Sequence, residues 1–366
     1  MYENDLAEEQ IIIDQTVQKI AKNFYSSDEH NQYLDNEHGF SSEVWNILSE
    51  SGLFALSLSE DISGYSGTIK NLTTFMKAIG KALFVEPVLS SPIIGATMLE
   101  SLGSDSQIEE FSSGIIAGDK QISLAHSEKR ARYNSKFVES TFTENDGEYK
   151  LTGQKIFILG ASLTKHLIVS AKPATSNASN GIRFFIVDIN HERLFPQKYR
   201  LTDGSVAMDL DLKDVKAELM PGTFDDFEGA AAKIKIAACA ESIGIMERLF
   251  EDTLEYVKTR EQFGRPLGKF QVIQHRLADK FAALELSRSH LQRMIDSDPT
   301  SASGQNQISG SRAFISKASS ELAEEAVQLH GGMGITDELI IGRGLKRLLV
   351  LSTLFGDSAQ ELEQFS

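Results

Sequence analysis

The chain has 366 residues, enough for about two or three domains, and its 41% apolar content can fill a sizeable core. A formal charge of −16 argues against nucleic acid as a partner, because phosphate contacts need clustered Lys and Arg. The single cysteine, Cys239, excludes an internal disulfide, and its apolar helical surroundings read as those of a buried structural thiol.

The N-terminal MYENDLAEEQ is acidic and lacks the basic-then-apolar layout of a signal peptide. No apolar run reaches the roughly 20 residues that span a bilayer, so a cytoplasmic protein is expected, without membrane contact. Leu6, Ile11, Ile13, Val17, Ile20 and Phe24 form an apolar stripe at helical spacing. Residues 44–54 give a shorter one, and Leu72, Phe75, Met76, Ile79, Leu83 and Phe84 a third. Pro92 sits where a further helix through Met98 and Leu102 could start.

After Gly118 the character changes. Short β-favouring runs at 121–125, 137–143, 149–159, 167–171, 183–188 and 207–212 alternate with turn clusters. Two such clusters are Glu144-Asn145-Asp146-Gly147 and Ser176-Asn177-Ala178-Ser179-Asn180-Gly181. From about residue 230 the helical period returns, with long helices expected near 230–258, 268–296, 303–330 and 342–355 and a loop at 296–305. The expected fold class is α+β: an N-terminal helical domain (1–118), a middle antiparallel β domain (119–228) and a C-terminal four-helix bundle (229–366).

The densest chemistry lies at 260–279, REQFGRPLGKFQVIQHRLAD. Gly264-Arg265-Pro266-Leu267-Gly268 is a strong helix stop and restart, so two antiparallel helices joined by a short loop are expected. Arg260, Gln262, Arg265, Gln271, Gln274, His275 and Arg276 cluster there beside Phe263 and Phe270. Guanidinium forks for phosphate, amides that donate and accept, and aromatic faces together suit a nucleotide cofactor. A solvated hairpin with ordinary surface charges is the plainer alternative.

The pattern R-x-x-F-G-x-x-L-x-x-F-Q-x-I-x-H-x-L-A-D resembles the flavin-binding hairpin of the acyl-CoA dehydrogenase family. Gln328-Leu329-His330-Gly331-Gly332-Met333-Gly334 is similar to that family's second C-terminal signature, in the right order, and the resemblance extends over essentially the whole chain. It implies the same three-part fold, FAD as cofactor with no metal, and an acyl-CoA substrate. It also implies an electron-transfer flavoprotein as electron acceptor and a cofactor site shared between chains of a homo- or hetero-oligomer. Ser127 in Ala125-His126-Ser127-Glu128 matches a hydroxyl beside the flavin ring, with Lys129 where the family has Pro. Phe157 matches an aromatic packed on the flavin, though a β-core aromatic is the plainer reading. Leu159 replaces a hydroxyl residue that commonly contacts flavin N5.

By the same resemblance, Arg260, Gln262, Phe263, Gln328, Gly331 and Gly332 are expected to reach a neighbouring subunit's cofactor. Ser358 and Gln360, in Phe355-Gly356-Asp357-Ser358-Ala359-Gln360, match contacts to the adenosine diphosphate. In the family's commonest branch the catalytic Glu occupies the place of Gly356 here, and another branch's base matches Ile234, which cannot serve. Glu241, two turns on in the same apolar stripe and without an intrahelical cation, is then the expected base, with a solvated or interface Glu as the alternative. Ala125–Glu128, Arg132-Tyr133, Cys239-Ala240-Glu241-Ser242-Ile243-Gly244 and Phe355-Gly356-Asp357 resemble the pimeloyl-CoA dehydrogenase small subunit and steroid-degrading branch. FAD-dependent α,β-dehydrogenation is the expected function. The alternatives are a non-catalytic subunit completing a partner's flavin site and, further off, a flavin oxidase or monooxygenase.

Overall fold

The computed structural model describes residues 7–25, 27–59, 62, 68–175, 181–336 and 339–365. Leu6 of the first stripe and Ser176 to Asn180 of the second turn cluster lie outside the described residues. Among the described residues six α-helices come first: α1 (Glu8–Phe24), α2 (Ser27–Asp35), α3 (Ser42–Glu50), α4 (Ile69–Ala82), α5 (Ala96–Leu102) and α6 (Asp105–Ile116). The helix foreseen near Pro92 begins with a π-helical segment, Leu89–Gly95, that carries the proline inside it and runs on into α5. A widened turn accommodates the missing N–H of proline where a regular one would leave a carbonyl unpaired.

Among the described residues seven strands follow: β1 (Gln121–Ala125), β2 (Thr141–Asn145), β3 (Glu148–Leu159), β4 (Thr164–Pro173), β5 (Arg183–Asp188), β6 (Leu194–Arg200) and β7 (Val206–Met220). β4 pairs with both β2 and β5, and β7 with both β3 and β5, so the sheet closes on itself around Leu151, Ile158, Leu167, Val169, Phe185, Met208 and Leu210. Most pairings of the sheet are antiparallel, as expected from the sequence, and the departure lies at β4. β1 and β2 both run parallel to β4, and the other pairings are antiparallel. β4 is buried along most of its length, the pattern of a strand covered on both faces, which short alternating runs do not reveal.

The C-terminal part holds α7 (Phe224–Thr259), α8 (Gln271–Ile295), α9 (Ala302–His330), α10 (Ile340–Thr353) and the short α11 (Ser358–Phe365). A two-stranded hairpin, β8 (Glu261–Gln262) and β9 (Arg265–Pro266), separates α7 from α8. Thr223 caps α7 reciprocally with Asp226, and Ser301 caps α9 at Gly304 N–H. The N-terminal helices and the bundle share one hydrophobic core. They touch most closely where α4 crosses α7: a Cβ on Gly80 would lie 2.1 Å from Glu241 O, and one on Gly244 2.0 Å from Lys77 O. Among the described residues no helix is long and apolar enough to cross a membrane.

Candidate active site

A cleft of about 740 Å³ opens between the β barrel and the corner where α10 meets α11. Its apolar wall includes Ile94, Leu124, Ile156, Phe157 and Leu159, and Ser127, Asn134 and Gln360 bring polar groups to the cleft. A bulge in the β3–β7 register between Lys155 and Ile158 puts the consecutive residues Ile156 and Phe157 both on the cleft side. Phe157 pays for that turn with a φ of +57° and is held by its N–H on Asp209 Oδ1 at 3.1 Å. Ile156 N–H donates to Ser127 O at 2.9 Å, tying the loop after β1 to the bulge.

Beneath this wall lies a buried charge network that the sequence motifs did not reveal. Lys155 is fully buried, and its Nζ donates to Glu128 Oε1 at 2.7 Å, to Ser170 Oγ at 2.9 Å and to His126 O at 3.3 Å. Burial pulls the ammonium down to about 8 against the opposing pull of Glu128. For Glu128, burial pushes upward, but Lys155 and the N–H groups of Glu139 and Ser140 outweigh it and hold the carboxyl below its usual range. Burial and then Lys155 push His126 down to about 3, so the ring is neutral beside Ser170. These groups support Ser127 and the 129–137 loop from below, and Glu128 has its acceptors taken.

The opposite wall is Leu354, Phe355 and Asp357. Between them Gly356 takes a φ of +133°, which favours glycine, and a Cβ there would sit 3.2 Å from Glu361 Oε1. The buried Arg312 guanidinium donates to the carbonyls of Leu351, Leu354 and Gly356. It also pairs with Glu361 at 3.1 Å, and Glu361 pairs in turn with Lys235 at 2.9 Å. Asp357 Oδ1 accepts from Gln360 N–H at 2.9 Å, capping α11.

Glu241 has a different setting from the one its sequence suggests. It is buried, but it does not line the cleft, and its Oε1 accepts from Arg347 Nε at 2.6 Å. Arg347 also donates to Asp203 Oδ2 at 3.0 Å. Burial opposes the guanidinium charge, but the two carboxylates outweigh it and raise its proton affinity further. The cation absent from the intrahelical neighbourhood of Glu241 is therefore supplied by Arg347 on α10.

The remaining site residues divide into two groups. Ser127, Phe157 and Gln360 line one cleft, and Ser358 stands at the first turn of α11 beside it without lining it. Arg260, Gln262, Phe263, Gln328, Gly331 and Gly332 are all exposed and line no part of it. Phe263, with a φ of +53°, is 90% exposed at the hairpin tip, and Arg265 lies 4.1 Å over the Phe270 ring. A Cβ on Gly331 or Gly332 would meet nothing within 4 Å, which leaves the backbone open to close approach. Exposed Val272, Phe281, Met333 and Ile335 add apolar surface on α8 and on the turn after α9.

Comparison with known proteins bears on all of this. The chain matches the model "Acyl-CoA dehydrogenase, N-terminal domain" at residues 7–119 and "Acyl-CoA dehydrogenase, C-terminal domain" at 228–365. It is 27% identical to the 3-(aryl)acrylate reductase of Clostridium sporogenes, over 89% of this chain and 89% of that protein. It is 26% identical to the acyl-CoA dehydrogenase IpdE2 of Mycolicibacterium smegmatis, over 98% of each. In fold it is similar to the ChsE4-ChsE5 complex from Mycobacterium tuberculosis, with a TM-score of 0.88 and 20% identity over 98% of this chain and 96% of that one.

Proposed function

The chain belongs to the acyl-CoA dehydrogenase family, FAD-dependent oxidoreductases that act on CH–CH bonds, and from that premise we propose that it dehydrogenates an acyl-CoA thioester between Cα and Cβ. The observation that carries this reading is the cleft itself: an apolar wall centred on Phe157 with Ser127 and Gln360 beside it suits a planar heteroaromatic ring. Ser127, Phe157, Ser358 and Gln360 would hold FAD from one chain. Arg260, Gln262, Phe263, Gln328, Gly331 and Gly332 would complete a site on a second chain, as their exposure on an apolar face permits. FAD, when bound, supplies the acceptor for the hydride leaving Cβ. Leu159 brings no hydroxyl to the cleft, so any hydrogen bond at its position comes from backbone.

The α-proton needs a carboxylate that reaches the cleft. Gly356 supplies none, Glu128 is saturated by Lys155 and two N–H groups, and Glu241 is committed to Arg347. Asp357 and Glu363 also line the cleft; Asp357 stands one residue after Gly356, and we assign the proton to its carboxylate in place of Glu241. Asp357→Asn retains a good N-cap residue and removes the proton acceptor. Anaerobic bleaching of the yellow protein by a panel of saturated CoA thioesters should slow by about 10²–10⁴-fold in this variant, while Glu241→Gln bleaches at near the parent rate. The reverse pattern restores Glu241 as base. Because one relative is named a reductase, α,β-unsaturated thioesters belong in the panel with a reduced dye. An electron-transferring flavoprotein is the proposed physiological electron acceptor.

A second reading has a specific observation behind it: neither position where the family resemblance expects a base, 356 or 241, offers a free carboxylate at the cleft. On that reading the chain completes a paralogous partner's flavin site without turning over. Loss of flavin when the chain is expressed alone, and bleaching only with a co-expressed partner, would replace the first reading by the second.

A further inference from the structure

The bulge in β3 that shapes the cleft wall sets two residues, Ile156 and Phe157, against one on β7. The register passes from the pair Lys155–Leu210 to the pair Ile158–Met208, so the single residue opposite is Asp209. Ile156 N–H donates to Ser127 O at 2.9 Å, and Phe157 N–H donates to Asp209 Oδ1 at 3.1 Å. Phe157 has no partner in the β3–β7 register, so the Asp209 carboxylate stands in for a ladder bond. A bulky residue at φ +57° is a steric outlier that persists only where its surroundings hold it.

Asp209 is itself oriented from the far side of β7. There β6 pairs with β7, and Tyr199, diagonal to Asp209, donates its hydroxyl to the same Oδ1 at 2.9 Å. Burial and then the hydrogen bond to Asp209 push that hydroxyl up to about 12, so it stays a donor throughout the neutral range. Neither Asp209 nor Tyr199 lines the cleft. One oxygen thus takes two donors, a side chain from the outer strand and the backbone of the residue whose ring forms the wall.

We propose that Asp209, oriented by Tyr199, is a positioning residue for the flavin: it clamps the bulge so that the Phe157 ring meets the cofactor, and so sets its affinity and orientation. This inference rests on the flavin reading of the cleft. The role needs an acceptor at position 209. Asparagine keeps an oxygen that can accept, and alanine offers none.

The test uses the full chain, with its partner co-expressed if flavin uptake requires one, stripped of flavin and titrated with FAD. Affinity is read from the flavin absorbance, and orientation from the visible circular dichroism per bound flavin, which a mere loss of folded protein would not alter. Asp209→Ala should raise the FAD dissociation constant about tenfold or more, as expected for losing a hydrogen bond to a charged group, and should change the dichroism. Asp209→Asn should stay within about threefold of the parent, and Tyr199→Phe should fall between the two. Asp211→Ala removes the carboxylate two residues along β7 that accepts from Gln154 Nε2 at 2.7 Å, and should change neither reading. In a Phe157→Ala background the ring is gone, so Asp209→Ala should add little. Parent-like affinity and dichroism in Asp209→Ala overturns the proposal. So does an equal loss in Asp211→Ala, or a loss undiminished in the Phe157→Ala background. Should Asp209→Ala not fold, Tyr199→Phe decides, and parent-like readings in that variant overturn the proposal. A parent chain that takes up no FAD overturns the flavin reading together with this one, whereas a parent and variants that bind FAD alike overturn this one alone.

Discussion

The cleft wall and the 260–270 hairpin carry parts of one family resemblance, yet they are built in opposite ways. Behind the cleft wall, Lys155, Glu128, His126 and Ser170 form a closed network with almost no exposure, and Arg312, Glu361 and Lys235 form another behind Gly356. The hairpin has two-residue strands, an aromatic 90% exposed at its tip and no charge network of its own. The cleft is preorganised within one chain, and the hairpin presents polar and aromatic side chains on a surface. A substitution in the first should register as lost folding stability. One in the second should register as lost cofactor or lost assembly, with folding almost untouched.

The largest expected effect is on the cleft side. Lys155→Met leaves Glu128 buried without its cation and should lower folding stability by about 3–5 kcal/mol, read by denaturant titration. The matching hairpin substitution, Arg260→Met, should shift stability by no more than about 0.5 kcal/mol while the purified protein loses flavin on dilution. Equal stability losses at the two positions would erase the contrast. Gly356→Ala is next: at φ +133° with Glu361 close by, it should cost about 1–3 kcal/mol, whereas Gly332→Ala, which would meet nothing, should cost little and weaken flavin retention instead. The smallest is a pH effect. Because the Glu86 carboxyl is pushed from 4.5 to about 7, its contribution is fully present below about 4.5 and is lost as pH rises through about 7. The parent should therefore lose stability relative to Glu86→Gln over that interval; a parent that gains on the variant as pH rises would contradict a carboxyl pushed up by burial.

The contrast also separates what could be read from the sequence from what could not. Helical spacing and β-favouring runs are local properties, and they located the long helices and most of the strands. β6 escaped because its residues are mostly exposed and polar, so it lacks the apolar alternation that marks a half-buried strand. The parallel pairings of β4 are long-range and leave no local trace. The exposed hairpin residues were legible because their chemistry is concentrated in one short segment. The pairings of Glu241 with Arg347 and of Lys155 with Glu128 span 106 and 27 residues, and no periodicity announces them. An acidic residue in an apolar helical stripe therefore looked unpaired when read along its own helix. The signal that could have been used was the lysine in Gly153-Gln154-Lys155, placed in an otherwise β-favouring run, since such a charge needs a buried counterion.

The crossing of α4 over α7 bears on how anything enters the cleft. With Gly80 packed on the Glu241 carbonyl and Gly244 on that of Lys77, the two backbones leave no room to slide or rotate past each other. The N-terminal helices and the bundle thereby face the cleft as one packed block, which shares a single hydrophobic core.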